Sequence, residues 1–202
     1  MTARLTSPER HGQLLEAAVR HFARHGFSGA KTRIIARDCG VTEALLFHHF
    51  GSKKALYREI LDSRMSRPAR EIFPPFSTFG RDDAAFFRFV ASNLLARMES
   101  EPLFTRLLLY SVLEETRLAR DFLDRRVRKS IEYVARYLAR RRREGAFRGL
   151  DPVATARAFL GMVVYHSLLT HLFRHPLPRR VSREALVGTW VDLFLDGVRR
   201  RP

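Results

Sequence analysis

Residues 26–56, GFSGAKTRIIARDCGVTEALLFHHFGSKKAL, carry the pattern that decides the fold. Ile35 and Ala36 end the apolar face of one short helix, Cys39-Gly40-Val41 make a tight turn, and Thr42 caps a second short helix carrying Leu45, Leu46 and Phe50. Helices this short need a brace, and the flanks supply it. Ser7-Pro8 reads as a cap followed by proline at the first helical position, and Leu14, Ala18 and Phe22 then recur every four residues up to Gly26. Downstream, Ser52 caps a helix running through Leu56, Ile60 and Leu61. The pattern predicts a compact three-helix head containing a helix-turn-helix, with a fourth helix leaving it.

This head resembles the N-terminal domain of the tetracycline-repressor (TetR) family of bacterial transcription regulators. The resemblance runs from about Arg10 to Leu61 and rests on Ala17-Ala18, Phe22, Gly26-Phe27, Ile35-Ala36, Gly40-Val41, Leu46-Phe47, Phe50, and Ser52-Lys53 with Leu56. Three positions depart from the family pattern. Lys31 stands where a polar residue usually caps the first motif helix; it accepts no hydrogen bond, so the cap is expected to shift to Thr32. Phe47 replaces a tyrosine whose hydroxyl can reach a DNA phosphate. Leu45 stands where a small or hydroxyl residue is common, trading a polar base contact for apolar contact with a thymine methyl.

Composition sets the outer bounds. A chain of 202 residues that is 46% hydrophobic is long enough for a small head and one larger core domain, and its single cysteine excludes an intrachain disulfide. The longest apolar stretch, Ala158 to Phe173, is interrupted by His166, Ser167, Thr170 and His171, and no signal-peptide pattern opens the chain, so a soluble, cytoplasmic protein is expected. The formal charge of +16 suits a polyanion. Residues 1–66 hold 11 basic and 6 acidic side chains, net +5, and residues 67–202 hold 26 and 15, net +11. Per residue the two parts are nearly equal, so the motif and not the charge points to the head.

Residues 66–80, with Pro68, Pro74-Pro75 and Gly80, read as a joint, which divides the chain into a helix-turn-helix domain at 1–66 and a helical body at 67–202. Phe87, Val90, Leu94 and Met98 mark one body helix, and Pro102 opens another running to Glu115. Val127, Ile131, Val134 and Leu138 form a 4-3-4 stripe on a long helix that stops near Gly145. Asp151-Pro152 starts a further helix and Ser182 caps the last. The expected fold is all-α, with about nine helices in total and no strand.

The helix from Ala154 to Phe173 is apolar around nearly its whole circumference and must be covered on all sides. Its outer face suggests a homodimer, with Leu168, Leu169, Leu172 and Phe173 joined by Leu186, Trp190, Leu193 and Phe194 of the last helix; burial inside one monomer is the plainer alternative. The resemblance implies a four-helix dimer interface built from these last two helices. Two heads related by a two-fold axis each enter a major groove, so the DNA site is expected to be palindromic.

By the same resemblance, Arg33, Glu43, Ala44 and His48 are placed for base edges, with Thr42, Leu45 and Phe47 on the same motif. Lys31, Thr32, His49 and Lys53 are placed for phosphates. Taken alone, Lys31 and Arg33 are ordinary solvated cations, His48-His49 are partly buried structural histidines, and Cys39 is a small core residue. Arg140 to Arg143 end a long helix, where the helix dipole favours cations.

The resemblance also implies an effector site in the body. Phe87, Asn93, Met98, Phe104, Tyr110, Tyr133, Tyr137, Met162 and His166 are its candidate lining, and an apolar or aromatic effector is expected. Ligand binding would shift the body toward a conformation whose heads no longer fit the operator.

No enzyme signature accompanies these features. His21 and His25, like His171 and His175, have i, i+4 spacing but neither a neighbouring glutamate nor a cysteine cluster, and no phosphate-cradling loop or nucleophile elbow is present. No metal or cofactor is expected. The chain reads as a ligand-responsive DNA-binding regulator, and as a repressor, because family members usually occlude promoters. The alternative is a nonspecific basic helical protein that coats nucleic acid or binds anionic membrane.

Overall fold

The structure, a computed structural model, describes residues 6–63, 73–114, 117–178 and 180–200. Among these residues are nine α-helices and no strand: α1 (Ser7–Gly29), α2 (Thr32–Asp38), α3 (Glu43–Phe50), α4 (Lys53–Ser63), α5 (Asp83–Ser100), α6 (Pro102–Leu113), α7 (Arg117–Arg143), α8 (Pro152–Ser167) and α9 (Arg183–Val198). A 3-10 turn at Phe76–Phe79 precedes α5, and a π turn at Leu168–Leu172 continues α8.

The helix ends follow local chemistry. Thr42, Asp82, Asp151 and Ser182 each accept the backbone N–H three residues on, and Ser52 does the same for Ala55. The first cap is Thr6 and not Ser7. Glu9, three residues later, accepts from both the N–H and the hydroxyl of Thr6 at 2.8 Å, which leaves Ser7 and Pro8 as the first two helical positions. Near its other end α1 bends at Gly26, where φ is 70° and ψ is −179°. At Lys31 the cap does not shift to Thr32, whose hydroxyl is engaged with Glu43.

The chain packs as two compact units. The first comprises Met1–Arg67 with Leu103–Asp124, and the second Pro68–Pro102 with Arg125–Pro202. The first unit therefore takes in α6 beside the 1–66 head: Phe104 and Leu107 join Leu14, Phe22, Ile35, Leu46, Leu56 and Tyr57 in one core. Phe104, expected among the effector residues, is accordingly part of this core.

The second unit's core is aromatic. Phe86 and Phe87 of α5 meet Tyr133 and Tyr137 of α7, Phe159 of α8, and Trp190 and Phe194 of α9. Trp190 and Phe194, expected at the dimer seam, lie in this core: Phe194 is 4.8 Å from both the Phe87 and Phe159 rings, and Trp190 is 5.3 Å from His166. They occupy the side of α9 that faces α5 and α8, while Leu193 points outward and is 65% exposed. On α7, Val127 of the expected stripe is exposed, while Val134 and Leu138 are buried and Ile131 packs against the core, joined by buried Tyr133, Tyr137 and Arg141. Buried Arg141 is paired with buried Asp83 at 2.7 Å, and the Tyr137 hydroxyl donates to the same carboxylate at 2.7 Å, so neither charge is left unpartnered.

Candidate nucleic-acid interface

The turn between α2 and α3 is held by backbone bonds. Cys39 and Val41 both donate to the Ala36 carbonyl at 3.0 Å, and Gly40 supplies the left-handed φ of 67° that the turn requires. Thr42 then caps α3 through the Leu45 N–H at 3.2 Å. Behind the turn, the Arg10 guanidinium donates to the Cys39 carbonyl at 3.1 Å and to Gln13 Oε1 at 2.7 Å, fastening α1 to the motif.

Sealed from behind, the motif presents one recess lined by Ser7, Arg10, Arg33, Arg37, Gly40, Val41, Thr42, Glu43, Leu45, His48 and His49. It brings together six of the residues assigned from sequence: Arg33, Thr42, Glu43, Leu45, His48 and His49. Lys31 shares a second recess with Arg33, Ile34 and Arg37. Ala44 is exposed on α3, and Phe47 is half-buried against the core. Lys53 lines neither recess. Its Nζ donates to the Ser28 carbonyl at 3.3 Å and sits 5.0 Å from the Phe27 ring centroid. Burial pushes its ammonium pKa down, and the Glu114 carboxylate opposes that shift.

Five lining residues were not among the expected DNA contacts: Gly40 and Val41, which form the turn itself, and Ser7, Arg10 and Arg37. Arg37 follows Arg33 by four residues, a same-face spacing that was legible. Ser7 and Arg10 join only because α1 packs behind the turn, which no local pattern reveals.

The recess is basic but has one fixed acceptor. The Thr32 hydroxyl donates to Glu43 Oε1, tying α2 to α3 and holding the carboxylate in place. His11 Nε2 is paired with Glu59, and its ring packs against Phe50 at 4.5 Å and His49 at 5.8 Å, so His49 is braced from α1. Cys39 is buried, and burial pushes its thiol pKa up. His21 Nε2 lies 2.8 Å from Asp38. Among the described residues no group of three or more potential metal ligands gathers.

Residues 14–60 match the bacterial regulatory proteins of the tetR family, and residues 87–197, more than half the chain, match the C-terminal domain of AefR-like transcriptional repressors. The chain belongs to the TetR family of bacterial transcriptional regulators. Similar proteins include the regulatory protein RaaS of Mycobacterium tuberculosis, 52% identical over 46 residues, which are 23% of this chain and 21% of RaaS. The match to the repressor AcnR of Corynebacterium efficiens, 35% identical, covers 30% of this chain and 32% of AcnR. The chain thus spans about a fifth to a third of the length of these two relatives. A longer match, 29% identical and covering 76% of this chain and 80% of the relative, is to the nucleoid occlusion factor SlmA of Vibrio cholerae. The fold is shared with a TetR-like transcriptional regulator from Rhodococcus sp. RHA1, with a TM-score of 0.73, 19% identity and coverage of 96% and 98% of the two chains. TetR-family relatives are regulators rather than enzymes.

Proposed function

We propose that this TetR-family chain is a sequence-specific transcriptional repressor that binds a palindromic operator as a homodimer and is released by a small apolar or aromatic effector. The observation that carries the reading is the recess of Arg33, Arg37, Thr42, Glu43, Leu45, His48 and His49 around a capped, braced α3. In a major groove, Arg33 bonds guanine through two donors, Glu43 accepts from a cytosine amino group, and Leu45, 38% exposed, contacts a thymine methyl. His48 and Ala44 complete the base-facing side. Lys31, His49 and Lys53 hold phosphates and set the register; Arg10 and Arg37 add to that grip.

The division of labour follows the 1–66 head and the 67–202 body, in the cytoplasm. Dimerisation rests on the apolar face of Leu168, Leu169, Leu172, Phe173, Leu186 and Leu193. Effector binding belongs to the body, where Asn93, Met98, Met162 and His166 are half-buried and adaptable. The reading is tested by selecting bound sites from random duplex DNA at physiological salt, with the wild type and Arg33→Ala. Enrichment of one palindrome, read less strictly by Arg33→Ala at one base pair per half-site, is the expected result. Binding without enrichment that disappears as salt rises would replace the reading with nonspecific, charge-driven association.

A further inference from the structure

Glu114, immediately after α6, is fastened to the bend at the end of α1. Its carboxylate accepts from the Phe27 N–H at 2.6 Å, and both oxygens lie 3.4 Å from the Ser28 nitrogen. Glycine at position 26 makes room for it, because a Cβ there would overlap the carboxylate. Lys53 meets the same two residues through their other groups, donating to the Ser28 carbonyl and covering the Phe27 ring. Phe27 and Ser28 are therefore shared between an anion just after α6 and a cation at the start of α4. The carboxylate is itself well seated: Phe104 and Leu107 of α6 are in the core, and the Tyr57 hydroxyl is bonded to Ser111.

We infer that Glu114 is a positioning residue for the head's grip on DNA phosphate: by fixing the Phe27-Ser28 backbone, it sets where Lys53 presents its ammonium. The inference rests on the regulator reading in taking Lys53 as a phosphate contact. Without the carboxylate, two backbone donors lose their partner, the bend at Gly26 loses its anchor, and the carbonyl that holds Nζ is free to turn. Arginines in the recess act from α1 and α2 and do not depend on this joint, so the loss is confined to one cation per head.

Phosphate contacts carry no sequence information, so the test is made on random-sequence duplex as well as on any selected operator. Binding is followed by fluorescence anisotropy across a salt series for the wild type, Lys53→Ala, Glu114→Ala, the double variant, Glu114→Asp and Glu114→Gln. Glu114→Ala is expected to flatten the dependence of log K on log salt by about one per head, as Lys53→Ala does, and the double variant to be no flatter than Lys53→Ala alone. Glu114→Gln restores the slope, because its amide oxygen still accepts from Phe27. Should Glu114→Ala not fold, Glu114→Asp, which withdraws the carboxylate by one methylene, gives partial flattening. An unchanged slope in a folded variant, or losses that add in the double variant, overturns the inference. Failure to select any operator counts against the regulator reading instead, since the slope on random duplex still reports on Lys53.

Discussion

The Thr32 hydroxyl holds the Glu43 carboxylate across the turn between α2 and α3, so the acceptor that the proposed function offers to a base is oriented before DNA arrives. An untethered glutamate would lose rotamer freedom on binding, and the tether removes part of that cost. Thr32→Val keeps the shape and deletes the donor. It is expected to relax discrimination at the base pair read by Glu43 by roughly fivefold, the worth of about 1 kcal/mol for one hydrogen bond. Competition binding with operator variants measures this. The salt dependence should stay as in the wild type; a flatter slope would return Thr32 to the phosphate role that its sequence position suggests. Residue identities around the turn were legible because capping is local: Thr42 bonds a donor three residues away. The Thr32–Glu43 pairing was not, because it depends on how two helices meet.

Among the helices, α1 shows best how sequence marks and tertiary contacts divide the work. The Thr6-x-x-Glu9 spacing states its start, although the Ser7-Pro8 pair next to it draws attention first. Gly26 states its bend, since the backbone there lies in a region open essentially to glycine. What the bend is for was not legible, because Glu114 lies 87 residues along the chain from Phe27. The same distance hid the placement of α6 with the head: its apolar pattern fits a body helix equally well, and only the packing of Phe104 and Leu107 decides. The end of α8 is a similar case: the π turn at Leu168–Leu172 holds Thr170 and His171 within a mostly apolar stretch, and no glycine or proline within it announces the change. Gly26→Ala combines strained φ with overlap of the Glu114 carboxylate. A loss of about 1–3 kcal/mol is expected, read as a lower urea midpoint with an unchanged slope. A midpoint within error of the wild type would mean that the bend relaxes freely.

Charge is spread almost evenly along the chain, so on the proposed reading recognition has to come from geometry, two heads paired through one seam. On α8, Ala156, Phe159, Leu160 and Val163 are buried, while Tyr165 is 63% exposed; beyond it Phe173, and on α9 Leu193, are each 65% exposed. The span Pro152–Leu172 is 21 residues long and apolar enough, by length and composition alone, to cross a bilayer. Burial of its inner face in the second unit's core fits a helix whose outer face meets a second copy. Each exposed Leu or Phe contributes about 1.5–3 kcal/mol when covered, and an unpaired carboxylate in the same place opposes association by several kcal/mol. Leu193→Asp and Phe173→Asp are therefore each expected to sediment as monomers at micromolar concentration while keeping the wild-type helical circular dichroism, because neither side chain belongs to the core. Operator affinity should fall on the order of 10²-fold or more as the second head ceases to be an intramolecular partner. Trp190→Ala separates seam from core: its side chain is buried against His166, so it should lower the melting temperature more than it shifts the dimer equilibrium. A chain that stays dimeric with both aspartates in place would move the seam to another face of the body.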